Sequence, residues 1–294
     1  MKNELEKQKQ FANEELDGEY QQNNGRYKFD EKNHIHLLDG RPLIGTSSAS
    51  SVLAKPLTWW ASGLAVKELG VPDPKVFTKM KKKQASKDEL EALNSSCTET
   101  LSKIRSMTVD DYVNLLDRAY RAHSLSLDKS AEEGTDLHAE LERYVKNHML
   151  CYGKAKDTTE YDPKIKPFID WTETNVERFI WSEAHCYSEN LWIGGISDCG
   201  AILKNGKTII IDFKSSKEAY LSQFWQCVGY AIQIEENGWF NSEGILQGKL
   251  EAPIDYVCIV PFGATNVEPQ FYYNMEEGKE AFHAKIKLYK LLNQ

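Results

Sequence analysis

The sequence predicts a mixed α/β (α+β) protein: a central mixed sheet flanked by helices, preceded by a mainly helical N-terminal lobe. Three observations carry that expectation. Apolar residues recur at three-and-four spacing through most of the first half, the period of an amphipathic helix. From Phe179 the period becomes two, the period of a strand with one face buried. Between two of these period-two runs stands Asn205–Gly206, a strong short-range signal for a hairpin.

Taken in order, residues 1–25 are polar and charged, with Leu5, Phe11 and Leu16 too sparse to define a firm face, and read as a loose helix or a polar arm. Residues 26–130 read as the lobe. Short alternating runs from Arg26 to Ile44, broken at residues 31–33 and at Asp39-Gly40, predict two or three small strands. Thr46 to Ser48 offer helix N-cap oxygens, and Pro56 divides a short helix from a longer one that Gly70 and Pro72 stop. Segments 74–84 and 86–106 are helical in composition. After the cap candidate Thr108, the spacing of Val109, Tyr112, Val113, Leu116, Ala119 and Tyr120 predicts an amphipathic helix.

Residues 131–294 read as the core. A helix over about 130–149 places Leu137, Leu141, Tyr144, Val145 and His148 on one side, and a polar loop follows to residue 161. Asp162-Pro163 opens a helix that runs to about Arg178. Strands follow near 179–187, 191–203 and 207–214, then a helix over 217–237 and a loop carrying Gly238, Gly244 and Gly248. Strands near 254–261 and 268–273 precede a last helix from Met275 to Leu292.

The chain has 294 residues, 41% hydrophobic and 11% aromatic, enough for a large folded core. Its net charge of −8 is no signature of nucleic-acid binding, yet a metal site is itself built from carboxylates and an acidic protein can carry a local basic groove. The start, MKNELEKQKQ, has no apolar signal-peptide core, and no run approaches the length of a membrane helix. Six cysteines are scattered without a CxxC pair, so zinc spacing and a disulfide framework are both unexpected. A reducing cytoplasm is the expected compartment.

The chemistry concentrates between Gly194 and Tyr230. Asp212 and Lys214 are two apart on one strand and must project together, and Asp198 lies on the preceding strand. Whether Asp198 joins them depends on the turn. A two-residue Asn205–Gly206 turn pairs Lys204 with Lys207 and leaves Asp212 on the other sheet face. A three-residue Lys204-Asn205-Gly206 loop, with Gly206 left-handed in a bulge, pairs Leu203 with Lys207 and sets Asp198 opposite Asp212. Carboxylates that close repel unless a cation lies between them, so the bulged register and a hard divalent ion are predicted together. An exposed Asp–Lys pair on an edge strand is the bland alternative; Ile209-Ile210-Ile211 before it argues for a buried central strand, where unpaired charge is costly.

The set GGISD, IDFK and QxxxY, in that order, resembles the PD-(D/E)XK nuclease superfamily. With GTDLH at 134–138 upstream, it is most similar to the RecB-type exonuclease branch. The resemblance covers residues 134–230, and SSASSVLAKPLTWWA is similar to a segment of related phage-type nucleases. It implies a restriction-endonuclease-like core and a metal-dependent DNA nuclease, an exonuclease of recombination or repair acting on linear DNA with ends. It implies His138, Asp198, Asp212 and the Phe213 carbonyl as ligands of one or two Mg²⁺ or Mn²⁺ ions, the histidine tilting toward Mn²⁺. Lys214 is then the catalytic lysine, orienting or deprotonating the attacking water, and Gln226 and Tyr230 share the helix face that packs by the site. Glu183 stands where relatives often carry a glutamate and is a candidate to support the ligands from behind. Glu142 either supports His138 in that way or is simply solvated.

The basic run Lys79, Lys81, Lys82 and Lys83 is a candidate DNA-backbone contact against the commoner reading of a solvated helix face. Trp59 and Trp60 can stack on bases or pack in the lobe. The cysteine quartet of the iron–sulfur branch is missing, so no cluster is expected. A recombinase or single-strand annealing protein is an expected partner, a membrane is not, and an oligomer is left open. The alternatives are a structure-specific or restriction-like endonuclease, and a non-catalytic nucleic-acid-binding module of the same fold.

Overall fold

The computed structural model describes residues 25–51, 58–152 and 159–293. The arm expected over 1–25 lies outside the described residues apart from Gly25, as do the Trp59 side chain and Pro56. The chain divides into two compact units, residues up to 54 with those from 136 onward, and residues 55–135.

The helical unit contains α2 (Thr58–Glu68), α3 (Lys75–Lys81), α4 (Lys87–Ser106) and the start of α5 (Val109–Cys151); α1 (Thr46–Ser50) belongs to the other unit. Caps explain where these helices begin. Ser86 and Glu89 form a reciprocal capping box at α4. Thr108 Oγ1 accepts from the Asp111 N–H at 3.2 Å at the start of α5. Thr46 to Ser48 do not cap α1 as expected; they lie inside it, behind Gly45. The two helices expected over 109–124 and 130–149 are one helix of 43 residues. Nothing between them breaks a helix except Gly134, and one interior glycine costs only about 1 kcal/mol.

The other unit carries the sheet. After a 3₁₀ turn (Pro163–Ile165) and α6 (Lys166–Asn175) come β5 (Val176–Ser188), β6 (Ile193–Leu203) and β7 (Thr208–Lys214), then α7 (Leu221–Asn237). The segment expected as a loop holds a short hairpin, β8 (Trp239–Phe240) and β9 (Leu246–Gly248). β10 (Tyr256–Pro261), β11 (Gln270–Tyr272) and α8 (Met275–Leu292) close the chain. The strand order is β11-β10-β7-β6-β5-β8-β9, antiparallel except between β7 and β10. This is a mixed sheet flanked by helices, as the change of period predicted.

β1 (Tyr27–Asp30), β2 (Ile35–Leu38) and β3 (Arg41–Pro42) form a separate small sheet, and β4 (Ile44–Gly45) pairs in parallel with β6. These strands group with the sheet unit and not with the helical lobe expected over 26–130. Packing decides this: Tyr27 is fully buried, stacks on Tyr187 at 5.1 Å, and shares a cluster with Leu38, Leu43, Phe240 and Leu246.

Alternation along β7 sorts the core. Ile209, Ile211 and Phe213 pack with Leu141, Tyr144 and Val145 of α5 and Phe168 of α6. Ile210 packs on the opposite side with Phe224, Cys227, Val228 and Tyr230 of α7. Asp212 and Lys214 share the parity of Ile210 and therefore point toward α7. Three consecutive isoleucines with no exposed surface contribute about 1.5–3 kcal/mol each and fix the strand at the centre of the sheet.

Candidate metal centre

The β6–β7 hairpin has the bulged register. Leu203 N–H donates to the Lys207 carbonyl at 2.8 Å, Gly206 N–H returns to the Leu203 carbonyl at 2.8 Å, and Gly206 has φ +80°. Cys199 pairs with Ile211 and Ala201 with Ile209, so the next position sets Asp198 opposite Asp212. On the other side of β6, Ser182 pairs with Cys199 and Ala184 with Ser197, which sets Glu183 opposite Asp198. Three carboxylates therefore stand in a row across β5, β6 and β7.

Both β5 and β6 break their alternation at this row. Trp181 and Ala184 are three apart yet pack on the same side of the sheet, and Glu183 between them has φ +49°. A left-handed glutamate is strained by sterics, and such residues persist only where the surroundings over-determine them. Across the ladder, Ser197 Oγ accepts from the Trp181 indole at 3.2 Å, and a Cβ on Gly200 would meet the same ring at 2.2 Å. Ser197 and Gly200 thus both face Trp181 although they too are three apart, so β6 switches face between them, at Asp198. The switch lets Asp198 and Glu183 leave the sheet toward α5.

There they meet His138. One ligating atom each from His138, Glu183 and Asp198 lies within 4.8 Å of the others, and His138 Nδ1 is 3.7 Å from Asp198 Oδ2. One nitrogen and two carboxylate oxygens gathered in this way are donors of the kind that a divalent ion would take. Asp198 Oδ2 is held by the Phe213 N–H at 2.7 Å, and the His138 ring sits 6.0 Å from the Phe213 ring. The backbone N–H of Phe213 thus positions one carboxylate.

Asp212, expected as a ligand, is not in the trio. It is 1% exposed, and its Oδ2 lies 2.5 Å from Lys214 Nζ but has no well-aligned hydrogen bond. Burial, together with the Asp198 charge, raises its carboxyl despite Lys214. Burial disfavours the Lys214 ammonium, but Asp212 and Asp198 more than compensate and hold it protonated. Glu183 is pushed up to about 8, first by burial and then by the charges of Asp198 and Glu142. Three carboxylates against one ammonium leave negative charge in a buried place, the condition a bound cation relieves. The donor set could therefore hold a metal ion; Asp212, expected as a ligand, lies outside that group and Glu183 lies within it.

Gln226 and Tyr230 meet as their spacing predicts, Gln226 Nε2 donating to Tyr230 Oη at 2.8 Å. Tyr230 is buried, and Asp212 and Asp198 add to burial in raising its phenol. The close approach of Tyr230 needs Gly195, where a Cβ would sit 2.7 Å from the ring. Glu142 is ion-paired with Lys146 one turn along α5. Of the basic run, Lys79 is taken up by Glu89 and Lys81, Lys82 and Lys83 are exposed in the helical unit. Trp60 is exposed as well.

Glu183 is the residue whose place sequence reasoning undervalued. The signal was present in the β5–β6 register, but no turn between Ser188 and Ile193 has a sequence that narrows it as Asn205–Gly206 does. No helix among the described residues is long and apolar enough to cross a membrane. Compared with known proteins, the chain matches no family model and no curated protein.

Proposed function

We propose that this protein is a divalent-metal-dependent deoxyribonuclease that hydrolyses phosphodiester bonds, acting from the ends of linear DNA in recombination or repair. The observation that supports it best is the convergence of His138, Glu183 and Asp198 beside a buried Asp212–Lys214 pair. Mg²⁺ or Mn²⁺ held by that trio supplies a Lewis acid for the phosphoryl oxygen and a water of lowered pKa. The imidazole nitrogen favours Mn²⁺ of the two.

The chain's own groups supply the remainder. Lys214, kept as an ammonium by Asp212 at 2.5 Å, orients the attacking water and offsets charge that develops on the phosphoryl group. Asp212 fixes the lysine and makes up part of the negative field that retains the cation. Tyr230, locked by Gln226, closes the α7 side of the site against solvent. His138 is about one third exposed, which leaves the trio an open side for substrate.

The test is digestion of linear and closed-circular DNA, single- and double-stranded, with Mg²⁺ or Mn²⁺, beside Asp198→Asn and Lys214→Ala. We expect linear DNA to be shortened from its ends and both variants to cut it at least about a hundredfold more slowly. Cutting of closed circles replaces the exonuclease by an endonuclease; undiminished cutting by the variants removes the mechanism.

A further inference from the structure

A cleft of about 670 Å³ opens next to the trio, and Glu183 is part of its wall. One side is α5, which presents Glu142 and Lys146 there, four and eight residues past His138 and so on one helix face with it. The opposite side is the β8–β9 hairpin, with Trp239 and Gln247. The floor is β5 from Ile180 to His185. That stretch of β5 has a free outer edge: among the described residues its only pairing with β8 is His185 with Phe240.

We propose that this cleft binds the nucleoside on one side of the scissile phosphate, as a base-and-sugar subsite continuous with the metal centre. The inference rests on the nuclease reading above and adds where the substrate strand lies. A phosphate at the trio has a nucleoside on either side of it, and the cleft beginning at Glu183 is of the size that holds a small organic ligand. Its surfaces suit a nucleobase. Trp239 packs tilted against Trp181, ring centroids 5.1 Å apart, and its partly exposed indole lines the cleft, an aromatic group that can meet a base. The free edge of β5 offers backbone N–H and carbonyl groups, and exposed Gln247 offers an amide, to the polar rim of a base.

A free strand edge can also receive a peptide strand. Here it is poorly made for that. Glu183 at φ +49° breaks the extended backbone in the middle of the free stretch, and the His185–Phe240 pairing closes it immediately after. A peptide ladder has no uninterrupted edge to follow, whereas a base needs only one or two of the groups.

The experiment measures binding to the full chain in Mn²⁺ by calorimetry, with deoxynucleoside 5′-monophosphates, with deoxyribose 5-phosphate, and with an extended peptide as control. The wild type is expected to bind the nucleotides at least tenfold more tightly than the sugar phosphate and to ignore the peptide. Gln247→Trp, which fills the cleft from the wall remote from the trio, is expected to lose that tenfold gain while Mn²⁺ affinity stays unchanged. Equal binding of nucleotide and sugar phosphate by the wild type overturns the subsite, and so does nucleotide binding by a folded Gln247→Trp at wild-type strength. The base comparison needs no variant, so it decides even where Gln247→Trp fails to fold. A wild type that binds nucleotides in the cleft but cuts no DNA removes the nuclease reading and leaves the subsite. One that cuts DNA but gains nothing from the base removes the subsite alone.

Discussion

Lys214 and Glu183 are two buried charges with opposite consequences. Lys214 has its counter-ion 2.5 Å away, so its replacement by alanine leaves Asp212 without a partner in a place with 1% exposure. We expect Lys214→Ala to reduce hydrolysis by about 10²- to 10⁴-fold, the range of a positioned group that stabilises developing charge, with Mn²⁺ still bound; loss of metal binding to the same degree would make the lysine a structural counter-ion. Glu183 has no cation of its own in the trio. Burial and the neighbouring Asp198 push its carboxyl up to about 8 from an ordinary 4.5, so the folded state holds a proton that the unfolded state releases. Its contribution to metal-free stability is full below 4.5 and lost as pH rises toward 8. Metal binding needs the carboxylate, so affinity runs the other way and increases over the same interval. We expect the melting temperature of the metal-free protein to fall between pH 5 and 8 and Glu183→Gln to flatten part of that fall, Asp212 keeping the remainder. A metal-free profile unchanged by Glu183→Gln would place the titration elsewhere.

At the scale of elements, two glycines of β6 and its turn do different work. Gly206 has φ +80° and nothing within 4 Å of a would-be Cβ. Alanine there costs about 1–2 kcal/mol of backbone strain but meets no neighbour. The register survives, because a one-residue slip would turn the buried isoleucines of β7 to the wrong faces. Gly200 lies against the Trp181 ring, where a Cβ would sit at 2.2 Å. Alanine there must displace a tryptophan that is 2% exposed and that holds both strands at the point where they change face. We expect Gly206→Ala to lower the melting temperature by a few degrees with Mn²⁺ affinity intact, and Gly200→Ala to weaken Mn²⁺ binding at least tenfold. Equal metal binding in the two variants, measured by calorimetry, would show that the switch of face does not aim Glu183 and Asp198.

Over the whole molecule, a net charge of −8 sets a buried acidic site in an acidic chain, and no large basic excess offsets it. On the function proposed above, cation binding is a stability term as well as a catalytic one. An ion that binds only the folded state adds about 2.7 kcal/mol at a hundred times its dissociation constant. We expect Mn²⁺ to raise the melting temperature, a chelator to reverse this, and Asp198→Asn to abolish it. Since the trio lies wholly in the unit containing residues 136–293, the rise belongs to that unit's transition. A rise of equal size in Asp198→Asn would mean that the ion acts at some other place.

The sequence by itself determined the helices with clear caps and faces, the central strands, the β6–β7 register and the pairing of Gln226 with Tyr230. These are local: a capping oxygen lies within three residues of the amide it binds, Asn205–Gly206 narrows its loop to two registers between which the facing carboxylates choose, and four residues make one helical turn. It marked His138, Asp198, Asp212 and Lys214 as one constellation, but not how they divide. Only the tertiary structure decided that Asp212 turns inward to Lys214 while Glu183 takes its place beside His138 and Asp198. It also decided that strands 27–45 join the sheet unit, and that residues 109–151 form one helix. Each of these rests on side chains far apart in the chain: Trp181 against Gly200, Tyr27 against Tyr187, Asp198 against the Phe213 amide. Close packing is a property of such pairs taken together, and periodicity along one strand carries no record of the ring that will lie across it.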